Sequence, residues 1–239
     1  MASPELERLL EVQELDTALD QLRHRRATLP AREQLGAVES QLAELATTLS
    51  TVQQQRDDVA RRQSDFEAEL QASEARVLEI EGRMYGGTVS ASKDLQAMAA
   101  EVESLKRRRS TLEDHILETM DEREPIDDEV QRLEEAQVTA TGEAEDLRAV
   151  ITEAEAEIGA EEAKELDARA ALVADVPAGL LEQYERIRSR NGGIGAARLV
   201  GTSCGGCHLS LPAVEVDRLK RAKADEVVLC DQCGRILVR

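Results

Sequence analysis

The sequence predicts a mainly α protein: a long antiparallel coiled-coil helical hairpin followed by a small, β-rich C-terminal module. Three observations carry this. Apolar residues recur at alternating steps of three and four over most of the chain, with charged or polar residues between them, the pattern of a coiled-coil seam. Aromatic residues make up 1% of the chain and charged residues 33%, too few rings for a broad globular core and a composition suited to long helices. Four cysteines fall in two pairs within the last 36 residues and mark a change of architecture.

The first arm begins in one phase, with Val12, Leu15, Leu19, Leu22 and Leu29, and Pro30 sits where the phase changes. A kink or short break is expected there, because proline removes a helical N–H and clashes with the preceding turn. From Leu35 the seam runs through Val38, Leu42, Leu45, Leu49, Val52, Val59, Phe66, Leu70, Val77 and Ile80 to Met84. The stretch RMYGGTVSASKDL at 83–95 interrupts it with Gly86 and Gly87, then β-branched Thr88 and Val89, then Ser90 or Ser92 as helix caps; these are turn signals. Heptads resume with Leu95, Met98, Val102, Leu105, Leu112, Ile116, Ile126, Val130, Leu133, Leu147, Ile151 and Ile158, weakened at Arg109, Arg123, Gln137 and Glu161. Pro125 is expected to bend this helix or to sit in a brief interruption.

Arms of roughly 3–83 and 94–174 have nearly equal length, so folding back at a turn near 84–93 leaves neither unpaired. At 1.5 Å per residue each would be about 120 Å long. The same heptads could pair between chains, but the glycine turn and the matched arms favour the hairpin. With the turn centred near 88, Lys106, Arg107, Arg108 and Arg109 face Asp65, Glu67 and Glu69, while Arg23, Arg25 and Arg26 face Glu153, Glu155 and Glu157. The basic run at 106–109 is therefore read as internal ion pairing plus a solvated face, not as a nucleic-acid contact.

The hairpin is assigned to residues 1–176 and the second module to 177–239. Pro177 closes the second helix, and a short helix follows over 180–190. The loop NGGIGA occupies 191–196, with short strands around 198–201 and 209–211. Pro212 opens a helix through VEVDRLKRA, and strands at 226–229 and 235–239 complete the chain. So small a module, with so little apolar content, needs a staple.

CGGCH at 204–208 admits three chemistries: c-type haem attachment, a redox dithiol, or half of a zinc site. The second pair, Cys230 and Cys233, is separated from the first by 22 residues, slightly longer than the usual zinc-ribbon spacing, and the helix predicted between the pairs accounts for the surplus. Haem would leave that second pair without a role, and a redox dithiol belongs at a helix start, whereas the flanks here are strand-like. Cys204, Cys207, Cys230 and Cys233 are therefore assigned to one structural Zn2+. Gly205, Gly206 and Gly234 are expected to supply positive φ angles and close backbone approach. His208 is a neighbour of the site, since four thiolates fill the coordination sphere and leave no open position for an activated water. Iron in the same four-thiolate site stays open on this reading.

Charge divides the chain as well. The formal net charge is −19. Residues 177–239 hold ten Lys and Arg against seven Asp and Glu, a net of +3, which leaves −22 for residues 1–176. Such arms do not coat nucleic acid, which needs clustered basic groups. The start lacks a basic segment followed by an apolar one, and no run reaches the roughly 18 apolar residues of a membrane span; a soluble, cytoplasmic protein with reduced thiols is expected. No phosphate-binding loop, dinucleotide fingerprint, nucleophile elbow or H-E-x-x-H occurs in the chain, His24 and His115 read as ordinary helix residues, and the chain is read as a non-enzyme.

The turn with its following helix, YGGTVSASKDLQAMAAEVESLKRRRSTLEDHILETMDE, and the tail, YERIRSR, GTSCGGCHLSLP and VLCDQCGRILV, resemble a bacterial family of C4-type zinc ribbon proteins with an N-terminal coiled-coil hairpin, also described as a domain of unknown function. The resemblance covers essentially the whole chain. It implies a ribbon at the base of the hairpin, zinc on the four cysteines, and a nucleic-acid-binding or adaptor role; some members are associated with an alternative sigma factor and with RNA. Two functions are weighed. The first is a non-enzymatic adaptor presenting hairpin and ribbon to a protein partner, with the transcription machinery as a candidate. The alternative is direct nucleic-acid binding by Arg186, Arg188, Arg190, Arg198, Lys220, Arg221, Lys223 and Arg235, with Tyr184 as the sole aromatic platform. Neither reading calls for a membrane or a small-molecule substrate.

Overall fold

A computed structural model describes residues 3–87 and 89–239. Helix α1 spans Pro4–Ala27, α2 Pro30–Tyr85, α3 Ser92–Val173 and α4 Ala178–Arg190. Ser3 caps α1, its hydroxyl accepting from the Leu6 N–H, with Pro4 in the first turn. Glu5 and Glu7 lie at the N-terminal end of this helix and His24, Arg25 and Arg26 at the other, each on the side the helix dipole favours. The break expected at Pro30 is present: α1 ends at Ala27, the Thr28 N–H that caps it reaches the His24 carbonyl, and Pro30 starts the next helix. Pro125 does not interrupt α3, which continues from Ser92 to Val173. Thr88, within the expected turn, lies outside the described residues. On either side of it α2 ends at Tyr85, and the Ala91 carbonyl opens α3 by accepting from the Asp94 and Leu95 N–H groups.

The chain divides into two compact units, Gln34–Asp146 and the combination of Met1–Glu33 with Leu147–Arg239. In the first, α2 and α3 run as an antiparallel hairpin. Its predicted seam residues are buried or half-buried, as expected where each side chain is covered by one opposing helix. Four seam residues escaped the sequence reading: Ser73, Thr119, Ala140 and Ala144 are all buried. Each sits seven residues from a predicted seam position (Ile80, Leu112, Leu133, Ile151), so the period carried the signal that their small or polar side chains hid. The Thr119 hydroxyl is satisfied by the His115 and Ile116 carbonyls. His115 also stacks on Phe66, ring centroids 5.2 Å apart. Ion pairs cross the hairpin from Arg62 to Glu122 at 2.7 Å, Arg76 to Glu101 at 3.0 Å, Lys106 to Glu81 at 3.5 Å, and Arg108 to Glu69. Of the expected partners of the basic run, Glu69 is met; Arg109 instead pairs with Glu113 on its own helix.

In the second unit, Arg25 and Arg26 meet Glu161 and Glu162, and Arg23 turns to Asp20. The expected Glu153, Glu155 and Glu157 are not their partners. Carboxylates recur on nearly every turn of this stretch, so charge alone does not specify register.

The same unit carries a four-stranded sheet, β1 (Ala196–Val200), β2 (Ser203–Cys204), β3 (Val228–Leu229) and β4 (Ile236–Val238), with helix α5 (Ala213–Arg221) between β2 and β3. The strand order is β2-β1-β4-β3; β1 and β4 are parallel and the outer pairs antiparallel. The strand expected around 209–211 is an isolated bridge from Ser210 to Ser203, and β2 itself is the two residues ending at Cys204. Because strand side chains alternate, the sheet has two apolar faces. Ala196, Ile236 and Val238 join Leu6, Leu9, Leu10 and Val12 of α1, Val176 and Tyr184 in one core. Ala197 and Leu237 join Leu211, Val216, Leu219, Val228, Cys204 and Cys230 in the other.

Candidate metal centre

Two tight turns of the same construction bring the four cysteines together. In the first, the His208 N–H donates to the Cys204 carbonyl at 2.8 Å and the Cys204 N–H to the Leu209 carbonyl at 3.1 Å; in the second, Gly234 donates to Cys230 at 2.7 Å and Cys230 to Arg235 at 2.8 Å. The offsets are identical. His208 and Gly234, each four residues after the first cysteine of its pair, have φ of 60° and 71°. His208 thus fills the left-handed position that glycine fills in the second turn, a conformation unusual for a side-chain-bearing residue. That is its role beside the site.

Gly205 and Gly206 differ from expectation: among the described glycines, neither is in the positive-φ region. They are small because the backbone is crowded. A β-carbon on Gly205 would lie 2.8 Å from the Arg198 carbonyl oxygen, and one on Gly206 2.6 Å from Arg235 Cδ. The Gly206 N–H points at the Cys204 sulfur, 3.4 Å away, a contact that stabilises a thiolate.

The four sulfurs all lie within 4.8 Å of one another, and Cys204 and Cys233 are 3.9 Å apart. Tetrahedral Zn–S bonds of about 2.3 Å require sulfurs roughly 3.8 Å apart, so the donor set fits one zinc ion closed by four thiolates. Burial pushes the Cys204 thiol up and the Cys230 thiol up to about 12. Burial also opposes ionisation of Cys233, but hydrogen bonding from Arg235 and the neighbouring cysteines overcomes it and lowers that thiol to about 7. Without a cation the cluster favours a mixture of thiols and thiolate; a bound divalent ion supplies the charge that holds four thiolates together.

The basic residues proposed from sequence do not converge. Arg188 donates to Asp20 at 2.6 Å and lies 3.6 Å from Asp16; Arg198 pairs with Glu7 at 2.6 Å; Arg221 pairs with Asp217 at 3.1 Å. The Arg235 guanidinium turns inward to the carbonyls of Ile194 and Asn191. Arg186, Arg190, Lys220 and Lys223 are exposed, with no ion partner among the described residues. Tyr184 is no stacking platform: it is fully buried, its hydroxyl donating to Asp16 at 2.7 Å, and burial with that carboxylate raises its pKa.

Asp16, 3% exposed, is the hub of a polar network that sequence reasoning missed. Arg169 donates to it at 2.7 Å and also reaches Glu185, and this hydrogen bond to Asp16 raises the Arg169 pKa further. Beside it Gln13 donates to the Gly193 carbonyl at 2.9 Å and accepts from the Gly195 N–H at 2.6 Å. The partners lie 150 to 180 residues apart in the chain, and the one local cue was Asp16 and Gln13 on the apolar face of a short amphipathic stretch.

A helical hairpin joined to a ribbon closed by four cysteines defines the class, and it fits a non-enzymatic structural protein. The chain belongs to the CT398-like coiled coil hairpin domain family, which matches residues 12–192, and carries a C4-type zinc ribbon domain over residues 203–237. It is 33% identical to the protein Rv2229c of Mycobacterium tuberculosis, over 97% of this chain and 94% of that one. A solved structure from Mycobacterium smegmatis aligns with TM-score 0.90 and 27% identity, covering 100% of this chain and 99% of that chain. CT398 from Chlamydia trachomatis aligns with TM-score 0.69 and 20% identity, over 98% and 96% of the two chains, a likeness of fold. No helix among the described residues is long and apolar enough to cross a membrane.

Proposed function

We propose that this protein is a cytoplasmic, non-enzymatic adaptor whose ribbon docks a protein partner, with a component of the transcription machinery as the first candidate on family resemblance. The observation that carries the reading is that apolar side chains are left exposed on the ribbon while half of the eight basic candidates are tied up, Arg186, Arg190, Lys220 and Lys223 being the exposed remainder. Val200, Leu209 and Val214 are 64%, 52% and 83% exposed, whereas Arg188, Arg198, Arg221 and Arg235 are occupied within the chain. Apolar side chains on a charged protein suit a protein surface; phosphate binding needs free guanidinium and ammonium groups.

Crosslinking of tagged chain in cells followed by mass spectrometry tests this. A recurrent partner whose crosslinks fall on residues 196–230, and whose recovery drops with Val214→Asp, is the expected result. Recovery of self-contacts alone would contradict it. So would a complex with RNA or DNA in a mobility shift that weakens steeply between about 50 and 200 mM salt and is abolished by reversing Arg186 and Arg190.

A further inference from the structure

Arg235 stands where the second cysteine turn meets strand β4. Its carbonyl closes that turn by accepting from the Cys230 N–H, while its side chain leaves in another direction. The stem passes over Gly206 of the first turn, so closely that a β-carbon there would sit 2.6 Å from Cδ. The guanidinium then donates through Nε to the Ile194 carbonyl at 3.1 Å and through Nη2 to the Asn191 carbonyl at 2.9 Å. Helix α1 holds the same loop through Gln13, bonded to Gly193 and Gly195. One residue therefore touches both cysteine turns and the loop that meets α1.

We propose that Arg235 couples filling of the four-thiolate site to the seating of the 191–195 loop on helix α1. A bound cation fixes the two turns against each other, which confines the Arg235 stem at Gly206 and holds its guanidinium over the two carbonyls. These are charge-assisted hydrogen bonds, stronger than neutral ones. Emptying the site frees the first turn from the second, the stem loses its confinement, and the loop is left to Gln13, to the Ile236 N–H on the Gly195 carbonyl and to the Gly193 N–H on the Arg188 carbonyl. Linkage makes the effect mutual: a seated loop favours the filled site by the same factor. Arg235 does not touch the cation and acts as a positioning residue.

Amide hydrogen exchange of peptides covering 191–195, in the full chain with zinc and after chelation, tests the coupling. Chelation of the wild-type chain is expected to speed exchange there about tenfold, the scale of two hydrogen bonds. In Arg235→Met, which keeps an apolar stem and removes both donors, the loop exchanges fast in both states, and chelation changes it less than about twofold. The cobalt-substituted variant keeps the tetrathiolate spectrum, and its zinc affinity falls by at least that roughly tenfold factor, because hydrogen bonding from Arg235 also favours the Cys233 thiolate. Arg235→Lys, with one donor nitrogen in place of the two that reach Ile194 and Asn191, falls between. Loop exchange indifferent to chelation in the wild type, a full chelation response surviving in Arg235→Met, or complete loss of metal binding by that variant would each overturn the proposal.

Discussion

On one face of the ribbon sheet Ala196, Ile236 and Val238 rest on Leu6, Leu9, Leu10 and Val12 of α1 and on Tyr184 of α4. One residue along each strand, Ala197 and Leu237 face the other way, onto Val216, Leu219 and the buried cysteines. The first face is backed by a 24-residue helix that contributes two fully buried leucines, Leu6 and Leu9, each stabilising by about 1.5–3 kcal/mol. The second is backed by the nine-residue α5, shorter than the roughly 12 residues at which an isolated helix becomes even marginally stable. Proximity in sequence thus conceals two modes of stabilisation: apolar burial on one side, and on the other a small core completed by a metal.

The largest break in this comparison is Cys230→Ser. It is expected to abolish bound metal, measured as zinc per chain, and to unfold α5, because a structural zinc contributes on the order of 10 kcal/mol. Leu9→Ala attacks the opposite face. It should lower global stability by about 2–5 kcal/mol in thermal unfolding, leaving metal content unchanged at 25 °C. Acidification comes next. Cys204 and Cys230 have thiols raised by burial, so near neutral pH both must release a proton when metal binds. Affinity measured by chelator competition should fall by at least about a hundredfold per pH unit on acidification, tenfold for each of these two protons, with any proton lost by the other two cysteines adding to the slope. The smallest effect is at His208. His208→Gly should leave zinc stoichiometry intact and stability within about 1 kcal/mol of the parent, whereas His208→Val, strained at φ 60°, should cost more than that.

How much of this was legible in the sequence depends on the range of the interaction. The cysteine turns were readable because each is built within six residues and repeats the same spacing, and the heptads because their period persists over dozens of residues. The seam alanines were not, since Ala140 and Ala144 pass for ordinary helix formers until a facing helix covers them. Nor was the division of labour on the ribbon. Nothing local distinguishes Arg235, bonded to Ile194, from Arg190, which is exposed. The Asp16 network depends on α1, α3 and α4 meeting across more than 150 residues, a distance over which sequence pattern carries no information about individual partners. Register failed for a related reason: with acids on every turn, Arg26 could have met any of several carboxylates, and the packing selects Glu162.

Limited proteolysis of the full chain, with zinc and after chelation, read by mass spectrometry, tests the two-faced account most directly. The account predicts that chelation opens cleavage sites within residues 205–227 while α1 and α4 stay as resistant as before. Cleavage spreading at the same rate through α1 and α4, or no change anywhere, would contradict it.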